Sequence, residues 1–341
     1  MYYPGRGAFC LNDSQEFYVQ QAISSRTRLT YATGIRTFIN FCSMHGCNAT
    51  LPGYLPGEQT LIHFVCYCAD VLHLAHATIK VYLAGVKYNF VSQGQGDPFL
   101  NEQGIYFHTL KMVLRGIKMF QGSNNKLERL PITSQVLYEI FRVLDGKTFS
   151  RFNDCLMKAA CSLAFFGFLR CGEFTTLTNN FDPEINPCLE DVIFSESGIG
   201  KCFKLRLKAS KTDPFREGCL VSYHANLSQI CPHVAMETYL KLRNKSKQEP
   251  KTPLFVLENG TVLSRAAFLE MLSAACMQAG VPPRGYTGHS FRIGAATTAA
   301  KRNVPEYLIQ HLVRWSSDCF KTYIRTPQSV IAQAQMSMSN R

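Results

Sequence analysis

The feature that most constrains this chain is a nearly pure apolar run at residues 159–169, bounded by Lys158 and Arg170. A helix needs about 20 apolar residues to cross a bilayer, so this run is too short to span a membrane. An apolar stretch of this length without polar alternation is typical of a helix that is buried on all sides. The sequence therefore predicts a core helix at 153–168, followed almost at once by an arginine.

The overall composition is that of a folded soluble protein, with 46% hydrophobic and 18% charged residues. A chain of 341 residues can bury two separate cores. The first residues lack the basic and then apolar layout of a secretory signal, so we expect an intracellular protein. We therefore interpret the 14 cysteines as small buried side chains, not as a disulfide framework.

One group of possible metal ligands occurs in the first part of the chain, at His63, Cys66, Cys68, His73 and His76. Its spacing matches no usual zinc finger or ribbon, and we interpret it as one face of a buried helix. Phosphate-binding loops of nucleotide-binding proteins and the paired histidines of zinc proteases are also absent from the sequence. We therefore expect no metal, nucleotide or other cofactor.

Apolar spacing divides the chain into two parts. Helical periodicity predicts helices in the first part at 24–44, 59–72, 77–91 and 106–120. The polar stretch 121–126 then lacks any apolar period, and Thr133 or Ser134 can cap the next helix. We predict a helical domain at 1–121, a linker at 122–130 and a second domain with a C-terminal tail at 131–341.

The second part is predicted to be mixed. Alternating apolar and basic residues indicate a strand at 202–208, and 218–223 is its returning partner in a β-hairpin. Further helices are predicted at 228–243, 264–278, 290–302, 305–313 and 317–324. The fold class is mainly α with a small antiparallel sheet.

The net charge of +12 is unevenly distributed. Residues 1–125 hold nine lysines and arginines against six acidic residues, so most of the excess lies further along the chain. Within 201–216 there are six basic residues and one acid, and the strand predicted there exposes Lys204, Arg206 and Lys208. Such a surface attracts phosphate backbones, although a merely soluble basic protein has the same charge.

The sequence Gly288-His-Ser-Phe-Arg-Ile-Gly carries the densest chemistry. His289 and Arg292 are three residues apart at a helix start, so both side chains project from one face. The free N–H groups of a helix N-terminus also bind anions. Together they would form a compact phosphate site.

Two other motifs are ambiguous on their own. Arg170 directly follows the buried helix, where it could simply balance the helix dipole. Tyr323 lies on a predicted short helix after Arg314-Trp315-Ser316, where a tyrosine is usually half-buried packing.

Taken in order, Arg170, Lys211, His289, Arg292, Trp315 and Tyr323 resemble the catalytic set of the tyrosine recombinase (phage integrase) family. The resemblance covers 130–330, and the helical first part is similar to the family's core-binding domain. The phrases at 209–216 and 314–318 resemble most closely the Crypton and DIRS-like recombinases of eukaryotic mobile elements.

The resemblance implies a role for each of these residues. Tyr323 would attack a DNA phosphate and form a 3′-phosphotyrosyl bond, with His289 assisting its proton. Arg170 and Arg292 would hold the phosphate. Lys211, on the hairpin, would protonate the leaving 5′-oxygen, and Lys208 is the competing candidate.

The remaining implied roles are supporting ones. Trp315 would donate a hydrogen bond where many members have a second histidine, and Glu173 would orient the active site. Lys204, Arg206, Lys208 and Arg314 would contact DNA. Val313 departs from the glycine that usually precedes Arg-Trp, which would tighten a turn and predicts a weakened enzyme.

The sequence thus predicts a nuclear, site-specific DNA recombinase that acts on double-stranded DNA as a tetramer, without a membrane or nucleotide partner, in mobile-element integration or excision. The alternative is a domesticated, inactive DNA-binding protein. A type IB topoisomerase shares the chemistry, but the helical first domain and the hairpin favour a recombinase.

Overall fold

The computed structural model describes residues 11–47, 54–122, 129–146, 148–198, 200–210, 213, 215–243, 249–282, 285–314, 324 and 336. The chain forms two compact units, residues 1–126 and 127–341. The predicted linker at 122–130 lies across this division.

The first unit is helical throughout its described part. Its helices are α1 (Leu11–Gln21), α2 (Ser25–Met44), α3 (Glu58–Asp70), α4 (His76–Ser92) and α5 (His108–Gln121). The four predicted helices are therefore confirmed to within two residues at each end. The sequence did not predict α1, because none of its residues is buried and it has no apolar stripe.

Aromatic packing and two glycines organise the core of the first unit. The rings of Phe38 and Phe64 meet edge to face at 5.1 Å, and both are fully buried. Helices α2 and α4 pack closely through Gly34 and Gly85, because a Cβ on either would come within 2.7 Å of the other helix's backbone. The interpretation of the histidines and cysteines as one buried face is wrong, since His63 is exposed while only Cys68 of the α3 cysteines is buried.

The second unit mixes helices with a small sheet. Its helices are α6 (Ser134–Asp145), α7 (Arg151–Phe166), α8 (Pro232–Arg243), α9 (Arg265–Gln278), α10 (Ser290–Lys301) and α11 (Glu306–Val313), and its strands are β1 (Val192–Ser197), β2 (Gly200–Leu207) and β3 (Cys219–His224). The side chains of Thr133, Ser150 and Ser264 cap α6, α7 and α9 by accepting a backbone N–H each. The helix predicted from 228 begins only at Pro232, and the helix predicted at 317–324 lies outside the described residues, apart from Ile324.

The sheet is antiparallel in the order β1-β2-β3, so β2 is the central strand. The predicted hairpin is β2 with β3, where Leu205 lies opposite Val221. Strand β1 was not predicted, and it pairs on the other side with Val192 opposite Leu205. Phe203, Leu205 and Leu207 are buried, and the residues between them are exposed.

The core of the second unit is built around α7, which the sequence correctly predicts as the central buried helix. Two glycines allow close approach in this core, Gly167 at the end of α7 and Gly294 in α10. A Cβ on Gly167 would lie 1.9 Å from the Tyr223 hydroxyl, and a Cβ on Gly294 would lie 1.8 Å from the Ile132 carbonyl oxygen. No larger residue fits at either position without backbone movement, so Gly294 fixes α10 against the segment that enters α6.

The fold class predicted from the sequence is confirmed: the described part is mostly helical, with one three-stranded antiparallel sheet. Among the described helices, none combines the length and apolar character needed to cross a membrane.

Candidate active site

Arg170 emerges from the end of the core helix. Helix α7 ends at Phe166 with Gly167 as its C-cap, Phe168 adopts a left-handed φ of 50°, and Leu169 is fully buried. Arg170 is then extended, and its side chain is 17% exposed. The interpretation of Arg170 as a partner of the helix dipole is not supported, since its guanidinium pairs with Glu173 and the Gly167 carbonyl oxygen accepts from Arg314.

Glu173 holds two arginines with one buried carboxylate. Its Oε1 accepts from Arg170 Nη1 at 2.9 Å, and its Oε2 accepts from the Arg170 backbone N–H at 2.9 Å. The same Oε2 lies 3.1 Å from Arg314 Nη2, and the Glu173 side chain is only 4% exposed. Glu173 therefore fixes both guanidinium groups, as the sequence predicts for an orienting carboxylate.

Arg314 belongs to this cluster, and its predicted contact with DNA stays a prediction. It ends α11 in the left-handed conformation, at φ 57°, and its Nη1 donates to the Gly167 carbonyl oxygen at 3.2 Å. The positive φ lies at Arg314 and not at Val313, which is fully buried as the last residue of α11. The tight turn therefore falls on Arg314, and the weakened activity predicted from Val313 stays a prediction.

Arg292 is fully buried within α10. Its Nη2 donates to the carbonyl oxygen of Val313 at 2.6 Å. This bond joins α10 to the residue that precedes Arg314. Arg292, Val313, Arg314, Glu173 and Arg170 thus form a continuous chain of contacts from α10 to the end of α7.

His289 precedes the first turn of α10, in the position of its N-cap. Burial lowers its pKa below the ordinary histidine value, and the positive charges of Arg129, Arg265, Arg170 and Arg292 lower it further. Its Nδ1 is buried and makes no hydrogen bond to any described residue. These surroundings favour the uncharged imidazole, which can accept a proton.

The structure confirms that Arg170, His289 and Arg292 lie close together, although they are far apart in sequence. The backbone N–H of Cys171 donates to the carbonyl oxygen of Gly288 at 3.3 Å, which joins the Arg170 turn to the α10 N-terminus. Arg129 and Arg265 also lie near His289. Sequence analysis missed these two arginines, because no motif or spacing connects them to the others.

Lys208 is directed inward. Strand β2 ends at Leu207, and Lys208 Nζ lies 2.7 Å from Asp191 Oδ2, 2.8 Å from the Pro183 carbonyl oxygen and 3.2 Å from Cys188 Sγ. Burial opposes its charge, but the hydrogen bonds to Asp191 and Cys188 outweigh burial and raise the pKa of Lys208.

All three donors of the Lys208 ammonium thus have an acceptor. The prediction that Lys208 continues the exposed basic face is wrong, and an ammonium held in this way is a poor donor to a leaving group. Lys204 and Arg206 do lie on the exposed face of β2, as predicted.

Three predicted catalytic residues, Lys211, Trp315 and Tyr323, lie outside the described residues, and their roles stay predictions. Within the described ranges, no group of three or more histidine, cysteine or acidic side chains has the arrangement of a metal site.

The described site is suited to binding an anion. It brings four arginines around a neutral histidine, and Glu173 is the acid that pairs with Arg170 there. Guanidinium groups match the oxygens of a phosphate and keep their charge at any physiological pH. The arrangement can hold a phosphodiester, stabilise added charge on it and take a proton from an attacking group.

Comparisons with known proteins agree with this geometry. The chain is 22% identical over 305 residues to a protein described as "Integrase/recombinase xerD homolog" from Selenomonas ruminantium, covering 88% of this chain and 81% of that protein. No protein-family profile matches the sequence.

Solved structures with a similar fold include three recombinases or integrases. A XerH site-specific recombinase in a post-cleavage complex with its palindromic difH substrate has a TM-score of 0.62 at 16% identity, covering 91% of this chain and 79% of that one. A lambda integrase dimer bound to a COC′ core site gives 0.54 at 15% identity, covering 92% and 94%. The Tn1549 transposon integrase in complex with transposon right end DNA gives 0.53 at 14% identity, covering 92% and 99%. The chain thus shares the fold of these recombinases and integrases.

Proposed function

We propose that this protein is a site-specific DNA recombinase that cuts and rejoins strands through a covalent 3′-phosphotyrosyl intermediate on Tyr323. The observation that carries the proposal is the arrangement of Arg170, Glu173, His289 and Arg292 around one site, with Arg129 and Arg265 beside His289. A histidine kept uncharged by neighbouring arginines is a proton acceptor placed at a binding site for a phosphate. The DNA-bound integrases of similar fold support DNA as the source of that phosphate.

In the first step, the Tyr323 oxygen attacks the phosphorus of a backbone phosphodiester, and its proton passes to His289. A free tyrosine has a pKa of about 10, so its attack depends on a strongly positive setting. Arg170 and Arg292 would stabilise the charge that develops on the phosphoryl oxygens. Glu173 keeps Arg170 in place for this task.

In the second step, the bond from phosphorus to the 5′-oxygen breaks, and Lys211 donates the proton that this oxygen needs. The inward fixation of Lys208 supports Lys211 over Lys208 for this role. Rejoining is the reverse reaction with a different 5′-hydroxyl as the attacking group. Because the phosphotyrosyl bond replaces one phosphodiester by another, no nucleotide is consumed.

The proposal can be tested by covalent trapping. A duplex carrying the target site is nicked close to the cleavage point, so that the released 5′-hydroxyl fragment diffuses away. Wild-type protein should form an adduct that survives denaturation, and Tyr323→Phe should bind the same DNA but form none. If Tyr323→Phe forms the adduct as well as wild type, the proposed mechanism is wrong.

A second candidate is a domesticated DNA-binding protein that no longer catalyses. It predicts binding of the same DNA without any adduct in wild type. The intact catalytic set favours an active enzyme, since Arg170, Glu173, His289 and Arg292 are arranged around one site.

Assembly and origin are also part of the proposal. We propose that recombination takes place in a tetramer on DNA, because exchange between two duplexes requires four cut strands. Similarity of the phrases at 209–216 and 314–318 to Crypton and DIRS-like enzymes supports a mobile element and a nuclear location. Excision assays with two copies of the target on one plasmid, and protein mass measured on the complex, test these points.

A further inference from the structure

The guanidinium of Arg265 lies between the two segments that supply the candidate active site. It is close to Cys171, the residue after Arg170, whose thiol pKa burial raises and the positive charge of Arg265 lowers. It is also close to Gly288, the residue before His289, because a Cβ added there would lie 3.5 Å from Arg265 Nη2. The Arg265 side chain is thus next to both ends of the backbone contact between Cys171 and Gly288.

The backbone of Arg265 is fixed in this place by tertiary contacts. Its N–H donates to the carbonyl oxygen of Thr176 at 2.8 Å, and Ser264 forms a β-bridge with the same threonine. The Ser264 side chain caps α9 by accepting from the N–H of Ala267. Arg265 is therefore the first residue of a well-anchored helix. Thr176, which anchors it, lies three residues after the short turn at Cys171–Glu173 that follows Arg170.

Helix electrostatics do not favour an arginine at this position. A positive charge in the first turn of a helix opposes the helix dipole, and the first turn of α9 contains no acid that would offset it. Within the described part of the chain, no acidic side chain lies within 4.0 Å of the Arg265 guanidinium. Arg170, in contrast, has the Glu173 carboxylate as its partner.

From this position we infer that Arg265 is a further phosphate-binding residue of the site, in contact with the same phosphate that Arg170 and Arg292 hold. The inference rests on the proposed function and adds a residue to it. Arg265 would supply a guanidinium whose charge is not shared with any carboxylate among the described residues. Bound phosphate would provide the negative charge that these residues do not place beside it.

The matched control is Arg151, which is also the first residue of a serine-capped helix in the same unit. It is exposed, and the first turn of its helix contains Asp154. Arg151→Ala therefore removes the same charge from the same kind of position, away from the site.

The experiment uses the full chain with ¹³C,¹⁵N-labelled histidine and inorganic phosphate as the probe, at constant ionic strength. Phosphate should shift the His289 signal in wild type and in Arg151→Ala alike. Arg265→Ala should weaken this binding by about 10- to 100-fold, the range for losing one charge-assisted hydrogen bond. Circular dichroism and the thermal midpoint show whether the variant is folded.

The two possible failures are distinguishable. If phosphate does not shift His289 in wild type, the phosphate site of the proposed function is wrong. If wild type binds phosphate and folded Arg265→Ala binds it within twofold of Arg151→Ala, the role of Arg265 is wrong.

Discussion

Replacement of Glu173 by glutamine is the most informative single perturbation of the site. The carboxylate accepts three hydrogen bonds, two at Oε2 and one at Oε1. An amide keeps the shape but replaces one oxygen with a donor, which then faces a guanidinium or an N–H. If the amide nitrogen takes the place of Oε1, Arg170 Nη1 loses its acceptor. If it takes the place of Oε2, the Arg170 backbone N–H and Arg314 Nη2 lose theirs.

The magnitude follows from burial. Breaking a fully buried ion pair costs about 3–5 kcal/mol, whereas an exposed pair contributes about 0–1 kcal/mol. The Glu173 side chain is 4% exposed, but its partners Arg170 and Arg314 are 17% and 22% exposed and regain part of their hydration. We expect Glu173→Gln to lower the free energy of unfolding by about 2–3 kcal/mol, between these limits.

The assay is urea unfolding followed by far-UV circular dichroism at neutral pH. The control is Glu139→Gln, which removes a solvent-exposed pair with Arg142 of the same 2.9 Å length and should cost less than about 1 kcal/mol. Glu173→Gln should also slow adduct formation, because Arg170 is no longer held. Equal unfolding free energies for the two variants would refute the role of Glu173 as the residue that fixes both arginines.

Other predictions concern packing, protonation and DNA contact. Gly294→Ala should destabilise the second unit by several kcal/mol in thermal unfolding, because the added Cβ would overlap a backbone oxygen. The control is Gly116→Ala in α5, whose Cβ meets no atom, so this variant should be neutral or stabilising. The pKa of His289 should lie below the ordinary value of about 6.5 in a histidine NMR titration. The unfolded chain then takes up this proton at a higher pH than the folded chain, so the free energy of unfolding should fall as the pH drops below about 6.5. An ordinary or raised pKa would contradict the arginine cluster. Replacing Lys204 and Arg206 by glutamine should weaken DNA binding and reduce the slope of log affinity against log salt by about 0.9 for each lost phosphate contact. An unchanged slope would show that the exposed face of β2 does not contact DNA phosphates.

Local signals in the sequence predicted most of the helices. Ser264 caps α9 by accepting from an N–H only three residues further along the chain. The apolar run of α7 can likewise be identified without knowing which elements pack against it. Strand β1 was missed because its sequence does not alternate apolar and polar residues, although it pairs with β2, its neighbour along the chain. Helix α1 was missed because it buries no side chain.

The motifs predicted the central site residues, but not their surroundings. Alternation along β2 placed Lys208 on the exposed face, whereas Asp191, which is distant in sequence, directs it inward. Arg314 was expected to contact DNA, and the sequence did not indicate that it also pairs with Glu173. Arg265 reaches the site through its register with Thr176, and no spacing in the sequence encodes that contact.

The central claim is that Tyr323 itself becomes covalently attached to a DNA 3′-phosphate. The most direct measurement is mass spectrometry of the trapped adduct after digestion with nuclease and protease. We predict a peptide whose Tyr323 carries a nucleotide through its 3′-phosphate, together with a released strand that ends in a 5′-hydroxyl. Attachment to a different residue, or linkage through a 5′-phosphate, would contradict the account.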